Sequence, residues 1–444
     1  MTISASPLGW LGIIRLGLVQ AALGSVVVLV ISTLNRVMVV EYALPAILPG
    51  FLVALHYAVQ LIRPRFGHGS DRGGRCTSRI LGGMAVLSLG GVLCALAAVG
   101  IKQNPISALA LAVIAYALVG LGVGAAGTSL LVLLAKRVDE RRRAAAATIV
   151  WVMMIAGFAI TSTAVGHFLD PFSPHRLVVV IAYAAIVAFA VAALAVWGVE
   201  SAAAPRALKG PAGTGSFKTA LRRNWADPEV RGFTLFVFTS MLAYSAQELL
   251  LEPFAGLIYG YTLGESTRLS GLWHSMVLIG LVVVGIACSG ARPWGSLRSW
   301  TLGGCVASAL ALLGLACADV LRSHPKLSIF VVALGLSNGV FAAGAIGSMM
   351  ELSSRGEAGN AGVRIGLWGA AQAVGFALGG ILGTLIVDAI RYVIGSPVAA
   401  FAVVFSAEAA LFLVSTGFAG QRIAAQPDSA NKRRRAAKLL AGAR

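Results

Sequence analysis

RPRFGHGSDRGGR, residues 63–75, separates two apolar runs, 42–62 and 80–101, and its make-up decides how the chain is organised. Five of its positions, Gly67, Asp71, Arg72, Gly74 and Arg75, fall on the spacing GxxxDRxGR. The glycines permit a tight turn because they carry no Cβ. Asp71 can accept hydrogen bonds from amides at a helix N-terminus or pair with a nearby arginine, and so latch neighbouring helices. A short basic loop between two apolar runs, each about 20 residues long, is the pattern of a chain that turns back at a membrane surface.

The rest of the chain repeats that pattern. Further apolar runs lie near 17–40, 107–135, 145–169 and 177–198, then near 232–260, 271–290, 300–320, 328–350, 363–390 and 399–419. The 444 residues are 58% hydrophobic and 12% charged, with a mean hydropathy of +0.86. A soluble domain is roughly half apolar and about a quarter charged, so bilayer hydrocarbon is the solvent these side chains need. The first run lacks a small-residue cleavage site and leads straight into the second, so it is expected to be a retained span.

A net charge of +18 could suggest nucleic acid, but the bases sit in short loops between apolar runs. Arg63, Arg65, Arg72, Arg75 and Arg79, then Lys136 and Arg141 to Arg143, share one side with Lys209, Arg222, Arg231 and the cluster Lys432 to Arg435. The other side receives few, among them Arg36, Lys102, Arg176, Arg268 and Arg391. By the positive-inside rule the basic side is cytoplasmic, which places both termini and the central polar stretch in the cytoplasm of a bacterial inner membrane. The expected organisation is a six-span half over residues 1–199, a cytoplasmic linker at 200–231, a second six-span half over 232–420, and a basic tail at 421–444. The tail is expected to lie against anionic lipid.

The halves echo each other. Gly157-Phe158-Ala159 in the fifth span matches Gly375-Phe376-Ala377 in the eleventh, and Leu81-Gly82-Gly83 matches Leu302-Gly303-Gly304. Asn35 and Glu41 end the first span much as Gln247 and Glu252 end the seventh. The expectation is an all-α membrane protein of about twelve transmembrane helices, in two parallel six-helix halves related by an axis along the membrane normal. The glycine run from Gly120 to Gly127 follows no strand and lies inside a span, so it reads as close helix packing and not as a phosphate loop. The five cysteines form no CxxC pair, and neither a zinc site nor a disulfide framework is expected. No HExxH or Walker sequence occurs, so no enzyme is indicated.

The GxxxDRxGR spacing resembles the signature loop of the major facilitator superfamily. It departs at Gly69, where that family carries a large apolar residue, and at Cys76, where it often has a base. The corresponding loop of the second half, Ser289 to Arg298, has no acid. A narrower resemblance rests on LNRVMVVEYALPAILPG at 34–50, LVALHYAVQLIRPRFGHGSD at 52–71, AQELLLEPFAGLIYG at 246–260 and GESTRLSGLWH at 264–274. These stretches resemble the PucC/LhaA family, the bacteriochlorophyll-delivery branch of the major facilitators in purple photosynthetic bacteria. The resemblance implies assembly of light-harvesting antenna complexes, by supplying bacteriochlorophyll to the antenna α and β polypeptides or by chaperoning them. It also names the reaction centre and the pigment-synthesis or membrane-insertion machinery as candidate partners.

The candidate site residues follow from chemistry as well. His56 and His274 lie in matching spans of the two halves, and neutral imidazole is the commonest protein metal ligand. Either can hold the magnesium of a chlorin axially, or can be a histidine hydrogen-bonded to a neighbouring helix. Trp273 could pack on a macrocycle; Tyr57 and Gln60 adjoin His56. His167 reads as an interface residue, and His68, His175 and His324 as loop residues. Intramembrane polar residues are costly and mark function or pairing. Asn35, Arg36 and Glu41, with Gln247, Glu248 and Glu252, form either a polar mouth or gate or a latch between halves, with Arg36 expected to pair with Glu248 or Glu252. Glu408 is the most isolated carboxylate and could carry a coupling proton, as in a proton-coupled transporter of a small hydrophobic solute, the alternative function.

Overall fold

A computed structural model describes residues 8–62, 75–139, 142–200, 222, 225–289, 294–320, 327–354 and 361–423. Gly67, Asp71, Arg72, Gly74, His68, His324 and the cluster at 432–435 lie outside these residues.

Twelve helices carry the described chain. They are α1 (Trp10–Glu41) and α2 (Ile47–Ile62); α3 (Cys76–Gly100), α4 (Pro105–Arg137), α5 (Arg143–Phe168) and α6 (Pro174–Val196); then α7 (Pro228–Tyr259), α8 (Leu263–Ser289), α9 (Leu297–Val320), α10 (Leu327–Ser354), α11 (Ala361–Ile394) and α12 (Pro397–Ile423). Eleven of them are long and apolar enough to cross a membrane, and α2 is shorter within the described residues. The protein is a multi-pass membrane protein. Every expected run is found. The ends extend further than hydropathy suggested, as at Trp10, Pro228 and Ala361, because helical geometry continues beyond the hydrocarbon layer.

Local sequence sets the starts. α4, α6 and α7 each begin with a capping side chain followed by proline: Asn104-Pro105, Ser173-Pro174 and Asp227-Pro228. The cap accepts an orphan amide, and proline's missing N–H costs nothing in the first turn. α8 begins on a reciprocal capping box. The Thr262 amide donates to Glu265 at 2.9 Å and the Glu265 amide to the Thr262 hydroxyl at 3.2 Å.

The packing repeats with a shift of six helices. α1 packs on α5 and α6, α2 on α4, and α3 on α4 and α6; α7 packs on α11 and α12, α8 on α10, and α9 on α10 and α12. Between the halves α5 meets α8 and α2 meets α11, which are repeat-related seams. Small residues permit the approaches. A Cβ on Gly122 would stand 2.6 Å from the Leu87 backbone nitrogen, and one on Gly120 would stand 2.5 Å from the His56 carbonyl oxygen. The glycine run in α4 is therefore a packing surface. Large apolar side chains such as Tyr183, Ile186 and Leu194 of α6 remain exposed, as a lipid-facing belt requires.

Candidate functional site

At the junction of the halves, aromatic rings from five helices form one ladder. His56 meets Tyr57 on α2 with ring centroids 4.9 Å apart, and Tyr57 meets Phe376 of α11 at 5.0 Å. Phe376 meets Tyr244 of α7 at 5.9 Å, and Tyr244 stacks on Trp273 of α8 at 5.5 Å. Trp273 adjoins His274 at 4.8 Å, whose ring meets Phe158 of α5 edge-on at 5.0 Å. The four sequence candidates His56, Tyr57, Trp273 and His274 thus belong to a single array that crosses both seams. Phe158 and Phe376, the repeated phenylalanines, hold equivalent places in it. Tyr244 escaped the sequence reading because one tyrosine in an apolar run gives no signal.

The two histidines differ in chemistry. His56 is buried, and its Nε2 lies 2.7 Å from Gln60 Nε2 one turn later. His274 is fully buried, and its Nδ1 lies 2.8 Å from the Ser270 carbonyl oxygen, which fixes Nδ1 as the protonated nitrogen. Its Nε2 is the unprotonated nitrogen and meets no partner among the described residues, nor does the neighbouring Trp273 indole N–H. A buried polar atom without a hydrogen bond is costly. An imidazole with Nδ1–H on a carbonyl and Nε2 free is the arrangement that prepares histidine for a metal. The chemistry of His274 therefore fits a residue whose Nε2 would be available to hold a metal such as the magnesium of a chlorin.

A polar cluster closes the junction of α1 and α7 beside the ladder. Two stretches of α1, Leu29–Thr33 and Val37–Glu41, are wound as π-helix, a widening that recurs at functional sites. Ser32 donates to Glu252 Oε1 at 2.7 Å and Thr267 to Oε2 at 3.3 Å, so Glu252 joins α1, α7 and α8. Pro253 lies inside α7 and has no N–H for the Leu249 carbonyl. Asn35 Nδ2 donates to that carbonyl. Arg36 makes no direct hydrogen bond to Glu248 or Glu252, although its charge acts on Glu252. It pairs with Glu41 one turn on, and donates to the Tyr261 carbonyl at 2.7 Å. The reason is reach: Glu41 follows on the same helix, whereas Glu252 is already engaged by two hydroxyls. Glu248 lies one turn after Tyr244 and is 5% exposed.

Gln247 extends this polarity into the second half. Asn338 of α10 donates to Gln247 Oε1 at 2.8 Å and accepts from Ser308 of α9 at 2.8 Å. Glu408 of α12 is 2% exposed, and neither carboxylate oxygen meets a partner among the described residues. His175 falls elsewhere than expected, in the first turn of α6 and not in a loop. His167 is exposed, its Nδ1 against the Thr163 carbonyl oxygen at 2.7 Å. No group of three potential metal-ligating side chains occurs among the described residues.

Carboxylates the sequence did not single out hold helix starts from a distance. Glu200, after α6, accepts from the Cys76 and Thr77 amides of α3 at 3.0 and 2.8 Å. Burial alone would raise its pKa, but those two amides, the Thr77 hydroxyl and the Lys136 charge together lower it below the usual glutamate value. Asp388 accepts from the Ala46 and Ile47 amides at 3.0 and 2.7 Å. Asp170 accepts from the Gly264 amide at 2.9 Å and the Thr262 hydroxyl at 2.8 Å.

The profile of the PUCC protein family matches residues 33–426, which takes in every rung of the ladder and both seams. The chain belongs to the PUCC protein family. It is 48% identical over 427 residues, 94% of this chain and 97% of the relative, to the "Bacteriochlorophyll synthase 44.5 kDa chain" of Rhodobacter capsulatus. It is 26% identical to "Protein PucC" of the same organism, over 92% of this chain and 91% of that one. Among solved structures it resembles a bacterial homologue of the human lysosomal transporter Spinster, inward-facing and unoccupied. That match has a TM-score of 0.69 at 16% identity and covers 92% of this chain and 95% of that one. The nucleoside transporter NupG gives a TM-score of 0.66 at 12% identity, covering 92% and 98%. These likenesses establish a major-facilitator fold in this PUCC member, with two parallel six-helix halves.

Proposed function

We propose that this PUCC-family chain is an assembly factor for photosynthetic light-harvesting antenna complexes. It binds bacteriochlorophyll at the ladder and delivers it to the antenna α and β polypeptides, or chaperones them, in the bacterial inner membrane with both termini cytoplasmic. The reaction centre, the pigment-synthesis or insertion machinery and membrane lipid are its further surroundings. The observation that carries this reading is His274, with Nδ1 fixed on the Ser270 carbonyl and Nε2 without a partner among the described residues. Bound, the pigment would supply a magnesium ion able to take a nitrogen ligand, and His274 Nε2 would hold it. Trp273 and Tyr244, stacked at 5.5 Å, and Phe158 supply flat apolar surface beside that nitrogen. Because His274 is fully buried, a macrocycle reaches Nε2 only when the α5–α8 seam parts.

The name of the 48% relative speaks of pigment synthesis, and the PucC name belongs to relatives at 26%. We read both as support for a role in handling photosynthetic pigment, and this chain as a non-enzyme. The test is an absorption spectrum of the full-length chain, purified in mild detergent from photosynthetically grown cells, with mass spectrometry of what accompanies it. A near-infrared pigment band and antenna polypeptides are expected, and a colourless preparation without them would refute the reading.

A second reading, a proton-coupled carrier of a small hydrophobic solute, is favoured by one observation. Glu408 is a buried carboxylate without a hydrogen-bond partner among the described residues, a state that suits a group which takes up and releases a proton.

A further inference from the structure

Thirteen residues after the glycine of each Gly-Phe-Ala repeat stands an aspartate: Gly157 leads to Asp170, and Gly375 to Asp388. The two are equivalent members of the halves, and each reaches across to the other half. Asp170, after α5, binds the Gly264 amide and the Thr262 hydroxyl at the start of α8. Asp388, near the end of α11, binds the Ala46 and Ile47 amides at the start of α2, one to each oxygen. Both contacts lie at the end of the bundle opposite the α2–α3 loop. Each places a full negative charge against the positive end of a helix and satisfies amides that the helix itself cannot.

We propose that Asp170 and Asp388 are a matched pair of latches that close the two seams between the halves at this end of the molecule. Each acts on one seam. The Asp170 contact closes α5 against α8, where Phe158 meets His274; the Asp388 contact closes α11 against α2, where Phe376 meets Tyr57. The backbones below the latches are already close. Added Cβ atoms at Gly166 and Gly50 would stand 2.8 Å from the Gly264 carbonyl oxygen and 2.2 Å from the Thr384 hydroxyl oxygen. Without the aspartates, the α2–α11 seam keeps these small-residue contacts at its mouth, and the α5–α8 seam keeps them together with the Arg268 bond to the Gly166 carbonyl. The latches are unequal. Asp170 also has Arg268 at 3.8 Å, whose Nη1 donates to the Gly166 carbonyl at 3.0 Å. Asp388 holds its two amides alone among the described residues. The α2–α11 seam is therefore the one that opens first. The inference deepens the proposed site by saying what governs access to it, but it stands on hydrogen bonds that do not depend on the ligand's identity.

The test uses the full-length, pigment-free chain in mild detergent, with its five cysteines replaced by alanine or serine. Ala46→Cys reports on the α2–α11 seam and Ser266→Cys on the α5–α8 seam; both positions are buried. A water-soluble maleimide should label both slowly in the parent. Asp388→Asn should raise the labelling rate of the Ala46→Cys thiol at least fivefold and leave the Ser266→Cys thiol within twofold. Asp170→Asn should do the converse, and Thr262→Val should give a smaller rise at the Ser266→Cys thiol alone. Unchanged labelling in both Asn variants would overturn the proposal. So would an equal rise at both thiols, which signals general loosening and not a seam-specific latch. Because no pigment is used, loss of the pigment reading would leave this result standing, and the reverse holds too.

Discussion

Replacing His274 by leucine separates a ligand from a packing residue, because the two roles predict stability changes of opposite sign. In the pigment-free protein the substitution removes one hydrogen bond, Nδ1–H to the Ser270 carbonyl at 2.8 Å. Such a bond contributes about 0.5–1.5 kcal/mol net. It also removes Nε2, a buried nitrogen without a partner among the described residues, whose stranding costs about 1–3 kcal/mol. Leucine is apolar, of similar size, and faces Phe158 and Trp273. The balance runs from about 0.5 kcal/mol against His274→Leu to about 2.5 kcal/mol in its favour, centred on a gain of about 1 kcal/mol. Bound pigment should nevertheless fall by at least tenfold. His56→Leu should do the reverse: it removes the contact at 2.7 Å between His56 Nε2 and the Gln60 amide, destabilises by about 0.5–1.5 kcal/mol, and leaves pigment bound. Thermal unfolding in detergent and near-infrared absorbance per mole of protein measure both. If His274→Leu lowered stability by more than about 1 kcal/mol while retaining pigment, the histidine would be structural and the argument from its free nitrogen wrong.

Three further outcomes follow from the same geometry. Glu200→Gln should loosen the start of α3 by about 1 kcal/mol or less, given screening at a partly exposed site; and since the folded pKa of Glu200 is lowered, its contribution is present above the unfolded glutamate pKa and is lost as pH falls through the folded one, so melting curves of wild type and variant should converge in acid. Gly157→Ala should destabilise by about 1–3 kcal/mol, because the new Cβ would stand 2.4 Å from the Ala21 carbonyl oxygen, whereas Gly82→Ala, with nothing within 4 Å, should be silent in the same melt. Glu408→Leu should stabilise the protein by removing an unpartnered buried carboxylate and should leave antenna assembly intact; loss of assembly would instead favour the proton-coupled carrier.

Spans, their number and their two-fold repetition were legible because each apolar run is bounded by charge, and hydropathy needs no knowledge of packing. The site was legible only in part. His56, Tyr57, Trp273 and His274 stand out as polar or aromatic residues in matching spans, but that they share one array with Tyr244 depends on how α7 packs against α8 and α11. The Arg36 pairing went astray for a related reason. Sequence offers three carboxylates near Arg36, and only the fold shows that Ser32 and Thr267 already hold Glu252. Asn35 had a readable clue that went unused: a proline at 253 frees the carbonyl at 249, and a freed carbonyl in a membrane needs a donor from another helix.

The repeat itself carries the last step. Gly-Phe-Ala stands twice in the sequence, and an aspartate follows thirteen residues after each of its glycines. A residue is kept at matching positions of two halves for one of two physical reasons. It packs within each half, as Gly157 does on Ala21 and Gly375 on the Phe238 carbonyl, or it serves the interface that the pseudo-symmetry duplicates. Phe158 and Phe376 are of the second kind, and so are Asp170 and Asp388. One short repeated segment thus supplies, in order, the glycine that seats the helix in its own half, the ring that touches the facing half at mid-depth, and the carboxylate that fastens the facing helix at its end. The histidines break this symmetry: His56 Nε2 has Gln60 as a neighbour, whereas the residue four beyond His274 is Leu278, which can offer that nitrogen no hydrogen bond. Putting an amide there by Leu278→Gln should therefore give His274 Nε2 a partner, leave the fold and both seams as they are, and reduce bound pigment without removing the histidine. Full pigment in that variant, with an unshifted near-infrared band, would show that the open nitrogen is not what holds it.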